Sequence, residues 1–265
     1  MTVDARAPSR LVGWWLKNRH PTLFGFEVSY HSRSDAHSKE TCQYVMDDLI
    51  ASCRAIRDDA LAGEVCYEIN HKIFRPNAKP KTLDLVIGQP GTPLGAHSMG
   101  IQRGKVVTPG ARIILEAKAC MTCHSKALPR LHDELSAAMR TSVACTPRAI
   151  MCGLVVVNAS QSFISTENQN SGPATDAAAL KRNAHNQPKD VTKVIEQLQS
   201  ILPIRKDISE EGFDCLTFIV VDHDNEVPKP SVKLISSSPA PPAESPRHYD
   251  AFLVDICNKY RERFS

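Results

Sequence analysis

Asp84, Glu116 and Lys118 are the residues whose types and spacing combine most readily into chemistry. Asp84 stands in the apolar run LDLVIG, and Glu116 and Lys118 flank one alanine in ILEAKA. In an extended chain alternate side chains share a face, so Glu116 and Lys118 lie side by side, roughly 6.5–7 Å apart along the backbone. Ile113, Leu115 and Ala117 then turn to the core. In the other run, Leu83, Leu85 and Ile87 are expected to share one face and leave Asp84 on the opposite one. If the two strands are hairpin neighbours, one face gathers two carboxylates and an ammonium. Carboxylates that close repel and raise each other's pKa. A hard divalent cation removes that cost, and Mg²⁺ takes one or two carboxylates together with phosphate oxygens. Such an ion acidifies a bound water and offsets charge on a phosphoryl transition state. A lysine beside it can orient or deprotonate the water, or steady the charge on phosphorus. The plain alternative is an amphipathic strand with its charges in water, because E-x-K alone is a common string.

The elements around these residues decide between the two. A helix is predicted from about Ser38 to Leu61, since Cys42, Val45, Met46, Leu49, Cys53 and Ile56 recur at spacings of three and four, and Gly63 ends it. A short strand is expected at Glu64–Asn70, then two stronger ones at Lys81–Gly88 and Ala111–Ala119, joined by a long Gly- and Pro-rich excursion. Leu128, Leu131, Leu135, Ala138 and Met139 mark an amphipathic helix with Pro129 in its first turn. The unbroken apolar run Ala149–Ala159 reads as a strand buried on both faces. Beyond it come a polar loop over Thr166–Lys189, a helix near Val191–Leu202, a strand near Cys215–Asp222 and a helix near His248–Arg263. Ser236–Pro246 is a Pro/Ser surface connection. The aromatic-rich first thirty residues (Trp14, Trp15, Phe24, Phe26, Tyr30) are expected against the core. The order is α-β-β-β-α-β with C-terminal additions, an α/β fold read as one domain over 1–265 with a core at about 38–159 and an elaboration at about 160–265. No internal repeat is present.

Asp84 in LDLVIG and Glu116 with Lys118 in ILEAKA, set in that order of elements, resemble the PD-(D/E)xK nuclease superfamily and, within it, type II restriction endonucleases. The residue before Asp84 is Leu83 where the family name has proline, and the stretch 85–115 between the acids is long. The helix after the motif (ALPRLHDEL) lacks the Gln…Tyr signature of RecB-like exonucleases. The resemblance implies a restriction-endonuclease-like mixed central sheet flanked by helices, and Mg²⁺-dependent hydrolysis of DNA phosphodiesters. It further implies Asp84 and Glu116 as metal ligands and Lys118 beside the attacking water. A double-strand break needs two cuts, so a homodimer is expected, and a restriction enzyme implies a DNA methyltransferase acting on the same site.

Lys126 and Arg130, on the helix after the motif, are candidates for the DNA backbone. In the excursion, Gln102, Arg103 and Lys105, with His97, are candidates for reading base edges in a groove. Asn158, Ser160 and Gln161 close the buried strand and could line the same cleft, and Glu40 could supply an outer ligand. The different-class alternative is a non-catalytic DNA-binding or regulatory module on the same scaffold. A zinc- or haem-binding protein through Cys120, Cys123 and His124 (C-x-x-C-H) is another; haem attachment needs an exported chain, and zinc needs a second ligand pair.

Composition sets the frame. The chain has 265 residues, 42% hydrophobic and 23% charged, and a net charge of +3. That is enough for a real core and excludes wholesale disorder. The mild charge excludes a global basic field, so a nucleic-acid partner has to be held in a local cleft. The early apolar run Leu11–Leu16 is too short for a signal peptide or a membrane span, and nine cysteines without an export signal read as reduced, mostly buried thiols. A non-exported, cytoplasmic protein with no membrane partner is the expectation.

Overall fold

The strongest apolar runs of the sequence become the inner strands of one sheet. The computed structural model describes residues 6–21, 25–74, 80–96, 100–166 and 176–265. In chain order the elements are α1 (Ala7–Lys17), β1 (His20–Pro21), β2 (Glu27–Val28), α2 (Ala36–Ser52), α3 (Arg54–Ala62), β3 (Cys66–Ile73), β4 (Lys81–Pro90) and β5 (Val106–Cys120). There follow α4 (His124–Cys145), β6 (Ile150–Asn158), β7 (Ser162–Ile164), β8 (Arg182–Ala184), α5 (Lys189–Ile201), β9 (Cys215–His223), β10 (Val232–Ile235) and α6 (Tyr249–Phe264).

A mixed six-stranded sheet runs β10-β9-β6-β5-β4-β3. β3, β4 and β5 form an antiparallel meander, β5, β6 and β9 are parallel, and β10 returns antiparallel on β9. β6 lies in the middle with all nine residues buried, which is what a two-sided strand in an α/β sheet requires. One face carries Leu85, Ile113, Leu115, Ala117, Leu154 and Ile219 against α1, α2, α3 and α6. The other carries Leu83, Val86, Ile114, Val155 and Phe218 against α4 and α5. Truncating a central residue such as Leu154 to alanine should cost about 2–5 kcal/mol. Among the described residues no helix is long and apolar enough to cross a membrane.

Several expectations change. The helix over 38–61 is two helices, because Cys53 leaves helical geometry (φ −112°, ψ 104°) between α2 and α3. Cys53 is also disulfide-bonded to Cys257 of α6, with Cα atoms 5.5 Å apart, so the thiols are not all reduced; the other seven cysteines are not disulfide-bonded. Gly63 closes α3 in the left-handed region at φ 77°, as its position after the last apolar residue implied. β4 runs on to Pro90 and β5 begins at Val106, so both ends of the expected excursion are strand. α4 begins at His124, which puts Pro129 in its interior rather than its first turn. Leu83 does not share a face with Leu85 and Ile87; it packs on the α4 side while they pack on the other. Of the early aromatics, Trp15, on a helix (α1) absent from the expected elements, and Tyr30, after β2, are buried in the core. β8 lies inside the expected 166–189 loop, whose polar run Asn168–Pro173 falls outside the described residues, as do Phe24 and His97.

Candidate active site

The departure of Leu83 from strict alternation is the backbone feature that builds the site. The β4–β5 ladder runs from Pro90↔Val106 to Leu85↔Leu115. Past its end, the Asp84 carboxylate takes the place of a main-chain acceptor: its Oδ2 accepts the Ala117 N–H at 2.9 Å. The side chain is thereby fixed at the point where β4 and β5 part. Glu116 and Lys118 come from the next turns of the β5 pleat, opposite Gly153 and Val155 of β6. The three predicted residues meet. Lys118 Nζ lies 2.7 Å from Glu116 Oε1 and 3.3 Å from Asp84 Oδ2.

Glu116 is 1% exposed. Burial, and then the neighbouring Asp84 carboxylate, hold its pKa above the ordinary glutamate value, against the pull of Lys118 and Lys81. Its second oxygen, Oε2, is buried and has no hydrogen-bond partner among the described residues. Burial opposes the charge on Lys118, yet Glu116 and Asp84 together keep its ammonium above the usual lysine range. In this state Lys118 is a charged donor, not a base.

Two residues that sequence reasoning missed complete the centre. Lys81, the first residue of β4, places Nζ 3.5 Å from the same Glu116 Oε1 and 3.5 Å from the Glu134 carbonyl of α4. Strict alternation would put residues 81 and 84 on opposite faces; the irregularity at Asp84 is what lets both serve one site. His37 of α2 is held neutral: burial pushes its pKa down to about 4 although the Asp84 charge works the other way, and its buried Nδ1 has no hydrogen-bond partner among the described residues. A helix-start histidine in a polar stretch carried no signal for this.

The other candidates divide. Arg130 stands on α4 with its side chain 67% exposed, 3.7 Å from Glu134. Lys126 lines a surface hollow of about 370 Å³ at the start of α4 with Cys123, Arg182, His185 and Asp190. Gln102, Arg103 and Lys105 are not brought to the centre. Their segment runs along the outer edge of β3, with Tyr67 N–H donating to Gln102 O and Gly104 N–H to Tyr67 O. Lys105 pairs with Glu68 at 2.5 Å. Glu40 interacts with Tyr44. Asn158 is fully buried and ties strand ends together, its amide donating to Met121 O and His223 O while its Oδ1 accepts from Ser160 and His223.

Cys120, Cys123 and His124 do not converge. Cys120 is buried, Cys123 exposed, and His124 Nε2 is 2.7 Å from the Asn158 carbonyl. Among the described residues, no group of three or more His, Cys, Asp or Glu is assembled that could hold a metal ion. Two carboxylates at one point, one with a bare buried oxygen, do fit an ion such as Mg²⁺ that fills its remaining positions with water and phosphate. No protein-family model matches the chain, and no curated protein matches it.

Proposed function

We propose that the chain is a metal-dependent DNA endonuclease, built on a restriction-endonuclease-like version of its mixed sheet and acting in the manner of a type II restriction enzyme. The observation that carries this is the unpartnered buried oxygen of Glu116, held beside Asp84 with Lys118 between them. Leaving a buried carboxylate oxygen unsatisfied is costly, and a divalent cation is the ligand that relieves it.

Asp84 and Glu116 would hold Mg²⁺. When bound, the ion supplies an acidified water and neutralises charge developing at phosphorus. Asp84 is oriented for this by the Ala117 N–H, and Glu116 by the rigid inner strand. The Lys118 ammonium, charged because two carboxylates face it, donates to the attacking water or to a phosphate oxygen. Arg130 and Lys126, on the helix that leaves the site, supply positive charge for the DNA backbone. Cutting both strands of a duplex is served by a homodimer, and a companion methyltransferase would protect the producer's own DNA.

The test is nicking of supercoiled plasmid by purified protein. Mg²⁺ should support cutting, EDTA should stop it and added Mg²⁺ should restore it. Ca²⁺, larger and less strict in geometry, should support DNA binding without cutting. Cleavage that persists in excess EDTA would remove the metal from the account. Binding with no cutting under any divalent metal would leave the non-catalytic DNA-binding module as the better reading.

A further inference from the structure

Glu116 is crowded on one side and bare on the other. Both ammoniums, Lys118 at 2.7 Å and Lys81 at 3.5 Å, address the single oxygen Oε1, while Oε2 has no partner. Lys118 has a second carboxylate in Asp84. Among the described residues Lys81 has no second carboxylate; its other contact is the Glu134 carbonyl at 3.5 Å. It is also the more exposed of the two side chains, 26% against 18%. With Asp84 and Glu116 ionised and both lysines charged, the metal-free centre is electrically neutral. A divalent cation added to it leaves an excess of two positive charges, which an incoming phosphodiester, with its single negative charge, halves.

From this we propose that Lys81 is a second catalytic cation of the site. In the metal-free protein it is a resident counter-ion of Glu116. When the carboxylates take a metal ion, its ammonium is released from Glu116 to a non-bridging oxygen of the scissile phosphate. No covalent bond changes in this exchange; one ion pair replaces another. The proposal rests on the nuclease reading above and adds that a lysine does part of what a second metal ion does in two-metal sites. Lys118, paired with both Asp84 and Glu116, is the less free of the two lysines to leave Glu116, so the exchange falls to Lys81.

The experiment compares wild type, Lys81→Met and Lys81→Arg, each first shown by circular dichroism and thermal melting to be folded. Mn²⁺ affinity, read by calorimetry without DNA, should tighten roughly fivefold in Lys81→Met, the size of one partly exposed ion pair removed from competition. Lys81→Arg should bind Mn²⁺ as wild type does. Plasmid cleavage by Lys81→Met at saturating metal should fall by about 10²-fold, the scale for losing one charged donor to a transition state, and Lys81→Arg should recover most of it. Unchanged or weaker Mn²⁺ binding in Lys81→Met overturns the counter-ion role. Cleavage by that variant at the wild-type rate overturns the phosphate role. Wild-type protein that binds Mn²⁺ but cuts no DNA removes the nuclease reading and the phosphate role with it, while the Mn²⁺ titration still decides the counter-ion role. A Lys81→Met protein that fails to fold transfers both tests to Lys81→Arg, in which cleavage more than 10²-fold down despite normal Mn²⁺ binding also contradicts the proposal.

Discussion

Two buried ion clusters sit on the same sheet, and they differ in how fully their atoms are used. Asp214, just before β9, is met by Arg205 and Arg263. The Arg205 and Asp214 side chains are wholly buried, 2.5 Å apart, and the second Asp214 oxygen pairs with Arg263 Nη2. Asp214 also accepts the Met151 N–H, and Arg205 donates to the carbonyls of Pro147 and Ala149. The carboxylate is satisfied on both oxygens, and hydrogen bonds to Arg263 and Arg205 hold Asp214 below the ordinary carboxylate value in spite of burial. At the other cluster two lysines share one oxygen of Glu116 and the second oxygen is bare. A satisfied cluster has no open acceptor for a ligand; the Glu116 cluster keeps one in its buried second oxygen. Position agrees with this division. The Asp214 cluster joins the amino ends of β6 and β9, whereas Glu116 and Lys118 lie toward the carboxyl end of β5, where open α/β sheets place their ligands.

Breaking the active cluster should give the largest effect on catalysis. Asp84→Ala should lower plasmid cleavage by at least about 10³-fold, with stability lowered by about 1–3 kcal/mol, because the Ala117 N–H loses its acceptor. DNA binding without metal should be retained or tightened, since one repulsion with phosphate is gone. Breaking the satisfied cluster should do the reverse. Asp214→Ala strands two guanidiniums and should cost about 3–5 kcal/mol in denaturant unfolding, with residual activity following only the folded fraction.

Smaller effects sharpen the contrast. Cys257→Ser opens the link between Cys53 and α6, which spans a sequence separation of 204 residues, and should cost about 2–4 kcal/mol under non-reducing conditions. Dithiothreitol should bring wild type to the same stability. Glu116→Gln should be close to neutral or stabilise by about 1 kcal/mol while abolishing cleavage, because it removes a buried charge that is only half satisfied. The pH dependence separates the two acids. Glu116 has a raised pKa, so its folded-state penalty is absent below the ordinary glutamate value and grows as pH rises through the raised one. Asp214 has a depressed pKa, so its stabilisation is full above the ordinary aspartate value and is lost as pH falls through the depressed one. Glu116→Gln should therefore gain on wild type as pH rises from 4 toward 8, and a chemical-denaturation series across that range reads it directly.

What the sequence disclosed follows from how far each signal reaches along the chain. Asp84, Glu116 and Lys118 were legible because two apolar runs fix two strands, and alternation within β5 puts Glu116 and Lys118 together. Lys81 was not, since it joins them only through the break in alternation at Asp84, which depends on how β4 and β5 separate. The end of α3 was legible in Gly63, but the interruption at Cys53 was not, because the apolar spacing runs straight through it. The bond from Cys53 to Cys257 joins residues at opposite ends of the chain, and nothing local marks it. Strands of three or four residues, such as β7, β8 and β10, are too short to show a period. The basic residues of the 100–105 segment looked poised for a groove, but backbone pairing with Tyr67 ties them to the far edge of the sheet.

The most direct test of the central claim is the Lys118→Ala variant set beside wild type in one plasmid-nicking time course with Mg²⁺. Lys118 touches both carboxylates and takes no part in the ion cluster at Asp214, whose partners are Arg205 and Arg263, so its loss tests the candidate site and leaves that cluster intact. The account predicts Mg²⁺-dependent nicking by wild type and a rate at least about 10³-fold lower for the variant, with matching circular dichroism. Nicking by Lys118→Ala at the wild-type rate would contradict it.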